Sequence, residues 1–104
     1  MIATPGFKQE IKKLSKKYVS LKKEYLALVT SLEKQPVQGI PIGHHCYKIR
    51  LSIASKGKGK SGGARVITNV FISGNTVFLL SIYDKSEKEN ISDKEVQQLI
   101  KQIK

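Results

Sequence analysis

"SKGKGKSGGAR", residues 55–65, places four glycines and four basic residues in eleven positions, with no acid and no large apolar side chain. Three readings compete for it: a nucleotide-phosphate loop, a solvated linker, or a grip for a different phosphate. A P-loop has the form Gly-x-x-x-x-Gly-Lys-Ser/Thr and opens a helix, so that its amides and the helix N-terminus converge on one phosphate group. Only the second half, Gly59-Lys60-Ser61, is present here, and Ala54 stands where the first glycine belongs. The continuation Arg65-Val66-Ile67-Thr68-Asn69-Val70-Phe71-Ile72 is β-branched and strand-like. That continuation decides the fold around the stretch, and no ATP or GTP site is expected.

Working outward, residues 46–54 alternate, with Tyr47, Ile49, Leu51 and Ile53 on one face and Lys48, Arg50 and Ser52 on the other. Residues 65–72 and 76–83 read as two further strands joined by a hairpin turn at Ser73-Gly74-Asn75. Three antiparallel strands result, with the glycine-lysine stretch at one rim of the sheet and Lys48 and Arg50 facing the polar side just before it. Toward the N-terminus, Thr4 and Pro5 suit the cap and first position of a helix. Phe7, Ile11, Leu14, Tyr18, Leu21, Tyr25, Leu28 and Leu32 then recur at spacings of four and three, an apolar helical stripe.

An unbroken helix over residues 7–33 would be about 40 Å long, against a radius of gyration near 13 Å for a compact chain of this size. The helix is therefore expected to break at Val19-Ser20, with Ser20 a potential N-cap, and to fold back as a hairpin whose stripe packs on the sheet. A coiled-coil partner is the other use for such a stripe. "KQPVQGIPIGHH", residues 34–45, reads as a connecting loop. Ser92-Asp93-Lys94-Glu95 fits a capping box, and Val96, Leu99, Ile100 and Ile103 give a final amphipathic helix. The expected fold class is α+β, a helical hairpin on a small antiparallel sheet with a short C-terminal helix, residues 1–104 forming a single domain.

The 19 Lys plus Arg outweigh the 8 Asp plus Glu, a formal charge of +11. The excess lies in residues 1–34 (eight Lys, three Glu) and 46–65 (six basic residues, no acid), whereas residues 66–104 balance five against five. A concentrated cationic surface selects polyanions: nucleic acid, anionic lipid or an acidic protein. No segment reads as a signal peptide or approaches the roughly 18 apolar residues of a membrane span. The lone Cys46 has no internal disulfide partner, in keeping with a reducing compartment. No membrane association and a cytoplasmic location are expected.

"YKIRLSIASKGKGKSGGARVI" (residues 47–67), "VFLLSIYDKSE" (77–87) and the short helix after them resemble the RelE/ParE superfamily of bacterial toxins, most closely its HigB-like branch. The likeness runs from "TPGFKQEIKKLSKKY" (4–18) to "ISDKEVQQLIKQI" (91–103); its specific part is Lys-Gly-Lys-Gly-Lys-x-Gly-Gly-x-Arg, followed about twenty residues on by Ile-Tyr-x-Lys. The resemblance implies a RelE-like fold and a small ribonuclease that enters the ribosomal A site, cuts messenger RNA and is silenced by a cognate antitoxin.

Cleavage by internal attack of a 2′-hydroxyl needs a proton acceptor, cationic donors for the charge building on phosphorus, and help for the departing 5′-oxygen. Lysine and arginine serve all three needs. Lys56, Lys58 and Lys60, crowded together, disfavour one another's charge, which makes one of them a candidate base. Arg65 suits a bidentate phosphate contact, and Lys85 shares the face parity of Ser81 and Tyr83, a candidate donor or acid at the same rim. Gly57, Gly59, Gly62 and Gly63 would let the backbone approach RNA. Lys48 and Arg50 are candidate phosphate-positioning residues, and Tyr83 is either a half-buried strand residue or a base-stacking one.

His44, His45 and Cys46 look like metal ligands, but adjacent residues of an extended chain point apart and no second ligand cluster accompanies them. Neither a metal nor a cofactor is expected. RelE-like nucleases often carry a tyrosine or histidine near the C-terminus, and this chain has neither after Lys85; the proton-transfer pair is left to the lysines and Tyr83. A ParE-like DNA gyrase inhibitor and a non-enzymatic RNA-binding module are the alternatives. The expected partners are messenger RNA, the ribosomal RNA of the A site and an antitoxin of the helix-turn-helix type, with the toxin alone a monomer.

Overall fold

Thr4 starts the first helix by accepting the amide of Phe7 at 3.2 Å, and Pro5 occupies the first helical position, where its missing N–H costs nothing. In this computed structural model, which describes residues 1–56, 62–71 and 76–103, helix α1 spans Pro5–Lys17 and helix α2 spans Leu21–Lys34. The expected break falls between them. Ser20 stands at the head of α2 but makes no side-chain cap; its hydroxyl goes instead to Glu24 at 3.1 Å and to the backbone of Ser55 at 2.9 Å.

The stripe faces a sheet. Phe7, Leu14, Leu21, Leu28 and Leu32 are buried against Ile49, Ile53, Ala64, Val66, Leu79 and Ile82, with Ile11, Tyr18 and Tyr25 partly buried at its margin. Lys8, Lys12, Lys16, Lys22 and Lys23 remain exposed on the helices.

The sheet has five strands in the order β1-β5-β4-β3-β2: β1 (Ile2–Ala3), β2 (Ile40–Gly43), β3 (Cys46–Leu51), β4 (Ala64–Phe71) and β5 (Thr76–Asp84). All pairs are antiparallel except β1 with β5, so the sheet is mixed. Three antiparallel strands were legible; the two edge strands were not. A two-residue strand has no periodicity to read. In β2, Pro41 and Gly43 mimic loop composition, yet an edge strand tolerates a proline because one row of its amides pairs with nothing.

β2 turns into β3 through His44 and His45, whose φ values of 56° and 60° are those of a two-residue hairpin turn usually given to Asn and Gly. Asn69 supports it by donating its side-chain amide to the His44 carbonyl at 3.0 Å. The strand expected over residues 46–54 ends at Leu51, and Ala54–Lys56 forms a 3-10 turn. The hairpin turn expected at Ser73-Gly74-Asn75 lies outside the described residues. One extra residue in β5, between Leu79 (opposite Thr68) and Ser81 (opposite Ile67), makes a bulge that leaves both Leu79 and Ile82 in the helix-side core.

Helix α3, Asp93–Ile100, carries the expected capping box: Ser92 accepts from the Glu95 amide at 3.2 Å, while the Glu95 carboxylate accepts from the Ser92 amide at 3.1 Å. A 3-10 turn, Lys101–Ile103, extends it. This segment lies on the face opposite the hairpin, where Val96 is buried with Cys46, Ile67, Leu80 and Tyr83. The radius of gyration is 12.8 Å, matching the compactness that required the helix to break.

Leu32, at 0% exposure in α2, tests the hairpin packing directly. Leu32→Ala should cost about 2–5 kcal/mol in urea unfolding, a large share of a total near 5–15 kcal/mol. A loss below about 1 kcal/mol would contradict this packing.

Candidate RNA-binding face

Strand register assembles the site. Arg50 of β3 lies opposite Arg65 of β4, and Arg65 lies opposite Tyr83 of β5, so the three form one row across the sheet. Directly paired residues point to the same face. That face is the one α3 occupies, because Ile67 and Tyr83 belong to its core while Ala64 and Val66 belong to the hairpin side. Lys48, two residues before Arg50, shares the face and donates to the Asn90 side chain at 3.2 Å.

Arg50 is exposed and Arg65 only 5% exposed. The Arg65 guanidinium donates to its neighbour's carbonyl, that of Ala64, at 3.0 Å. Burial, and then the positive charge of Arg50 beside it, lower the Arg65 pKa, which arginine tolerates while staying charged. Two neighbouring guanidiniums form a place where a phosphate would relieve repulsion as well as accept hydrogen bonds.

Tyr83 is 7% exposed, and its hydroxyl has no hydrogen-bond partner among the described residues. Burial raises its pKa, against the opposing pull of Arg65, so the phenol is a neutral donor near pH 7. Lys88 lies 5.3 Å from the Tyr83 ring centre and pairs with Glu95. A cleft of about 300 Å³ flanks the tyrosine, lined by Glu10, Lys13, Lys17, Ile82, Lys88 and other residues. Within it, burial raises the Glu10 carboxyl, although Ser81 donates to it at 3.0 Å.

The candidates separate into groups. Lys48, Arg50, Arg65 and Tyr83 come together. Lys85 follows on the same parity; its ammonium is 3.6 Å from Glu89, and its amide donates to the Gly63 carbonyl at 3.0 Å. Lys56 does not join them. Its side chain is 8% exposed and its ammonium pairs with the buried Asp84 carboxylate, on the hairpin side, where Asp84 lies opposite Ala64. The Asp84 carboxylate gives Lys56 a counter-charge that the expected crowding of Lys56, Lys58 and Lys60 did not include.

Gly57, Lys58, Gly59 and Lys60 lie outside the described residues. Gly62 is half-buried. Gly63 has a reason unrelated to RNA: a Cβ there would stand 2.1 Å from the Leu51 carbonyl oxygen.

Sequence reasoning passed over Lys88, Asn90 and Glu95 beside the row, and Asp84 behind it. Asp84 had a readable signal, a charge ending an apolar strand next to Tyr83, which alternation sends to the opposite face. His44 pairs with Asp93 at 3.1 Å, and the buried Cys46 thiol is raised by burial. Among the described residues no group of three His, Cys, Asp or Glu side chains is placed to hold a metal ion.

Residues 7–104 match a family described as the RelE toxin of the RelE/RelB toxin-antitoxin system. Two solved structures share the fold. A double arginine-to-alanine mutant of the E. coli toxin RelE in the free state matches with a TM-score of 0.61 at 20% identity, covering 99% of this chain and 95% of the other. The isolated E. coli RelE toxin matches with a TM-score of 0.57, also at 20% identity, over 99% and 96%.

Asp84 makes the site's dependence on pH testable. Burial alone would raise its carboxyl, but Lys56, Tyr18 and Ser86 together hold it well below the usual range. A depressed carboxylate contributes stability that is complete above its unfolded pKa, about 3.9, and is lost as pH falls from there toward the folded value. Asp84→Asn should therefore destabilise the protein at pH 7, and the gap from wild type should narrow below about pH 4. A gap independent of pH from 7 to 2 would contradict the ion pair.

Proposed function

From the membership of this chain in the RelE toxin family, established by the match over residues 7–104, we propose that it is the toxin of a toxin-antitoxin pair and a metal-independent endoribonuclease that cuts messenger RNA in the ribosomal A site. The observation that carries the reading is the Arg50–Arg65–Tyr83 row, backed by Lys48.

The reaction is internal transesterification. The 2′-oxygen attacks phosphorus and loses its proton to a base, the bond from phosphorus to the 5′-oxygen breaks, and that oxygen takes up a proton. The products are a 2′,3′-cyclic phosphate and a 5′-hydroxyl. Arg65 holds the non-bridging oxygens as charge builds on them, an electrostatic role that a metal ion fills in other nucleases. Lys85 is the donor to the leaving oxygen, and Lys58 or Lys60 is the base. Arg50 and Lys48 hold flanking phosphates, and Tyr83 contacts the nucleotide. Lys56 has no catalytic part in this scheme while Asp84 holds it.

The exposed lysines of α1 and α2 add a second cationic surface, suited to ribosomal RNA. The antitoxin is a helix-turn-helix protein whose acidic segment neutralises the cationic face, and the chain falls in the HigB-like branch of the superfamily. The toxin alone is a monomer.

A translating extract with labelled message decides the activity. Codon-positioned cuts that persist in excess chelator support the nuclease; inhibition of DNA supercoiling without cuts supports a gyrase inhibitor, and neither result leaves a binding module. In single-turnover reactions at saturating ribosome, Arg65→Ala should slow cleavage by roughly 10²-fold or more with affinity nearly unchanged. Lys16→Ala should instead weaken binding and flatten its salt dependence, leaving the bound rate alone. The reverse pattern would show that the row only holds RNA.

A further inference from the structure

We propose that Asp84 is a positioning residue for the phosphate-binding row, clamping the base of the Gly/Lys stretch and the turn after β5 to the elbow of the helical hairpin. The catalytic half of this inference rests on the nuclease reading above.

The Asp84 side chain is fully buried at the end of β5 and gathers donors from three segments. Tyr18, at the elbow, donates its hydroxyl to one carboxylate oxygen at 2.5 Å. Ser86, in the following turn, donates its amide at 2.9 Å and its hydroxyl at 2.7 Å to the other. Lys56, near the start of the Gly/Lys stretch, closes its ammonium on that same oxygen and reaches Ser86 at 3.3 Å. The Asp84 main chain extends the clamp, its carbonyl accepting from the amides of Glu87 at 3.1 Å and Lys88 at 3.0 Å.

A second set of bonds runs parallel to the first. Ala54 donates its amide to Glu24 at 2.6 Å, and Ser55 donates its amide to Ser20 at 2.9 Å. The far end of the stretch is held as well, because the Lys85 amide binds the Gly63 carbonyl at 3.0 Å while Gly63 sits against the backbone of Leu51. Lys56, on one side of residues 57–61, is thus held by the Asp84 carboxylate, and Gly63, on the other side, by the amide of Lys85, the residue next to Asp84 in sequence.

The choice of an ion pair here has a physical meaning. Apolar side chains of similar volume hold a buried site together as well as an ion pair does, or better, but without direction. A carboxylate bound to several donors in set geometry fixes orientation, and misplacing a reacting group by about 1 Å can cost 10²-fold in rate.

The test uses the full-length double variant Asp84→Leu with Lys56→Met, which replaces the pair without stranding a charge. Its urea midpoint should match wild type. Its Lys56 and Lys85 amides, bonded to the Ile53 and Gly63 carbonyls, should exchange with deuterium roughly tenfold faster or more. Single-turnover cleavage at saturating ribosome should fall roughly tenfold or more with affinity unchanged.

Wild-type exchange at both amides, or wild-type cleavage despite faster exchange, would overturn the proposal. Should the double variant fail to fold, Tyr18→Phe removes one donor from Asp84 while the charges stay paired. It should speed exchange at Lys56 in the same direction, and no change there would overturn the proposal equally. The exchange measurement needs no activity: a wild-type protein that cuts no RNA defeats the nuclease reading, while the exchange rates still decide the clamp.

Discussion

Alternation along β4 is the constraint on which the site depends. Ala64 and Val66 go to the helical hairpin, Arg65 and Ile67 go to the opposite face, and the antiparallel register on either side aligns Arg50 and Tyr83 with Arg65. One step of slip in either pairing would exchange the faces. Arg65 would then be thrust into the core formed by Leu21 and Leu32, and Val66 would be turned outward. The hydrophobic cost of that exchange is what fixes the cationic row. The site is therefore a by-product of core packing, held by residues that touch no substrate.

The same alternation explains how two adjacent residues, Tyr83 and Asp84, serve opposite sides of the sheet. Tyr83 faces the row with a phenol that has no hydrogen-bond partner among the described residues, and Asp84 faces the hairpin with its carboxylate saturated. Charge is divided in a related way. The lysines of the helices are exposed on the hairpin that covers one face, while the arginines stand on the other.

Much of this was legible in the sequence, and the parts that were not failed for identifiable reasons. The stripe from Phe7 to Leu32, the break before Leu21, the capping box at Ser92 and the three central strands all follow from local periodicity and capping chemistry. The edge strands β1 and β2 do not, because a two-residue strand and one holding Pro41 and Gly43 take their identity from their partners. Parity within a strand paired Lys48 with Arg50 and Tyr83 with Lys85, but the row that joins Arg50, Arg65 and Tyr83 needed the cross-strand register. Lys56 could not be placed, since its partner Asp84 is 28 residues away and a lysine in a glycine-rich stretch looks solvated. Gly63 has a second reason that the sequence did not display: its lack of a side chain accommodates Leu51, a contact visible only in three dimensions.

The central claim, that the Arg50–Arg65 pair seats a phosphate, is tested most directly by nitrogen-15 NMR of the arginine side chains during titration with a short, uncleavable 2′-O-methyl RNA at low salt. The account expects the Nε resonances of Arg50 and Arg65 to shift together and saturate at one RNA per protein. Binding that moves the helix lysine signals while both arginine resonances stay fixed would contradict it.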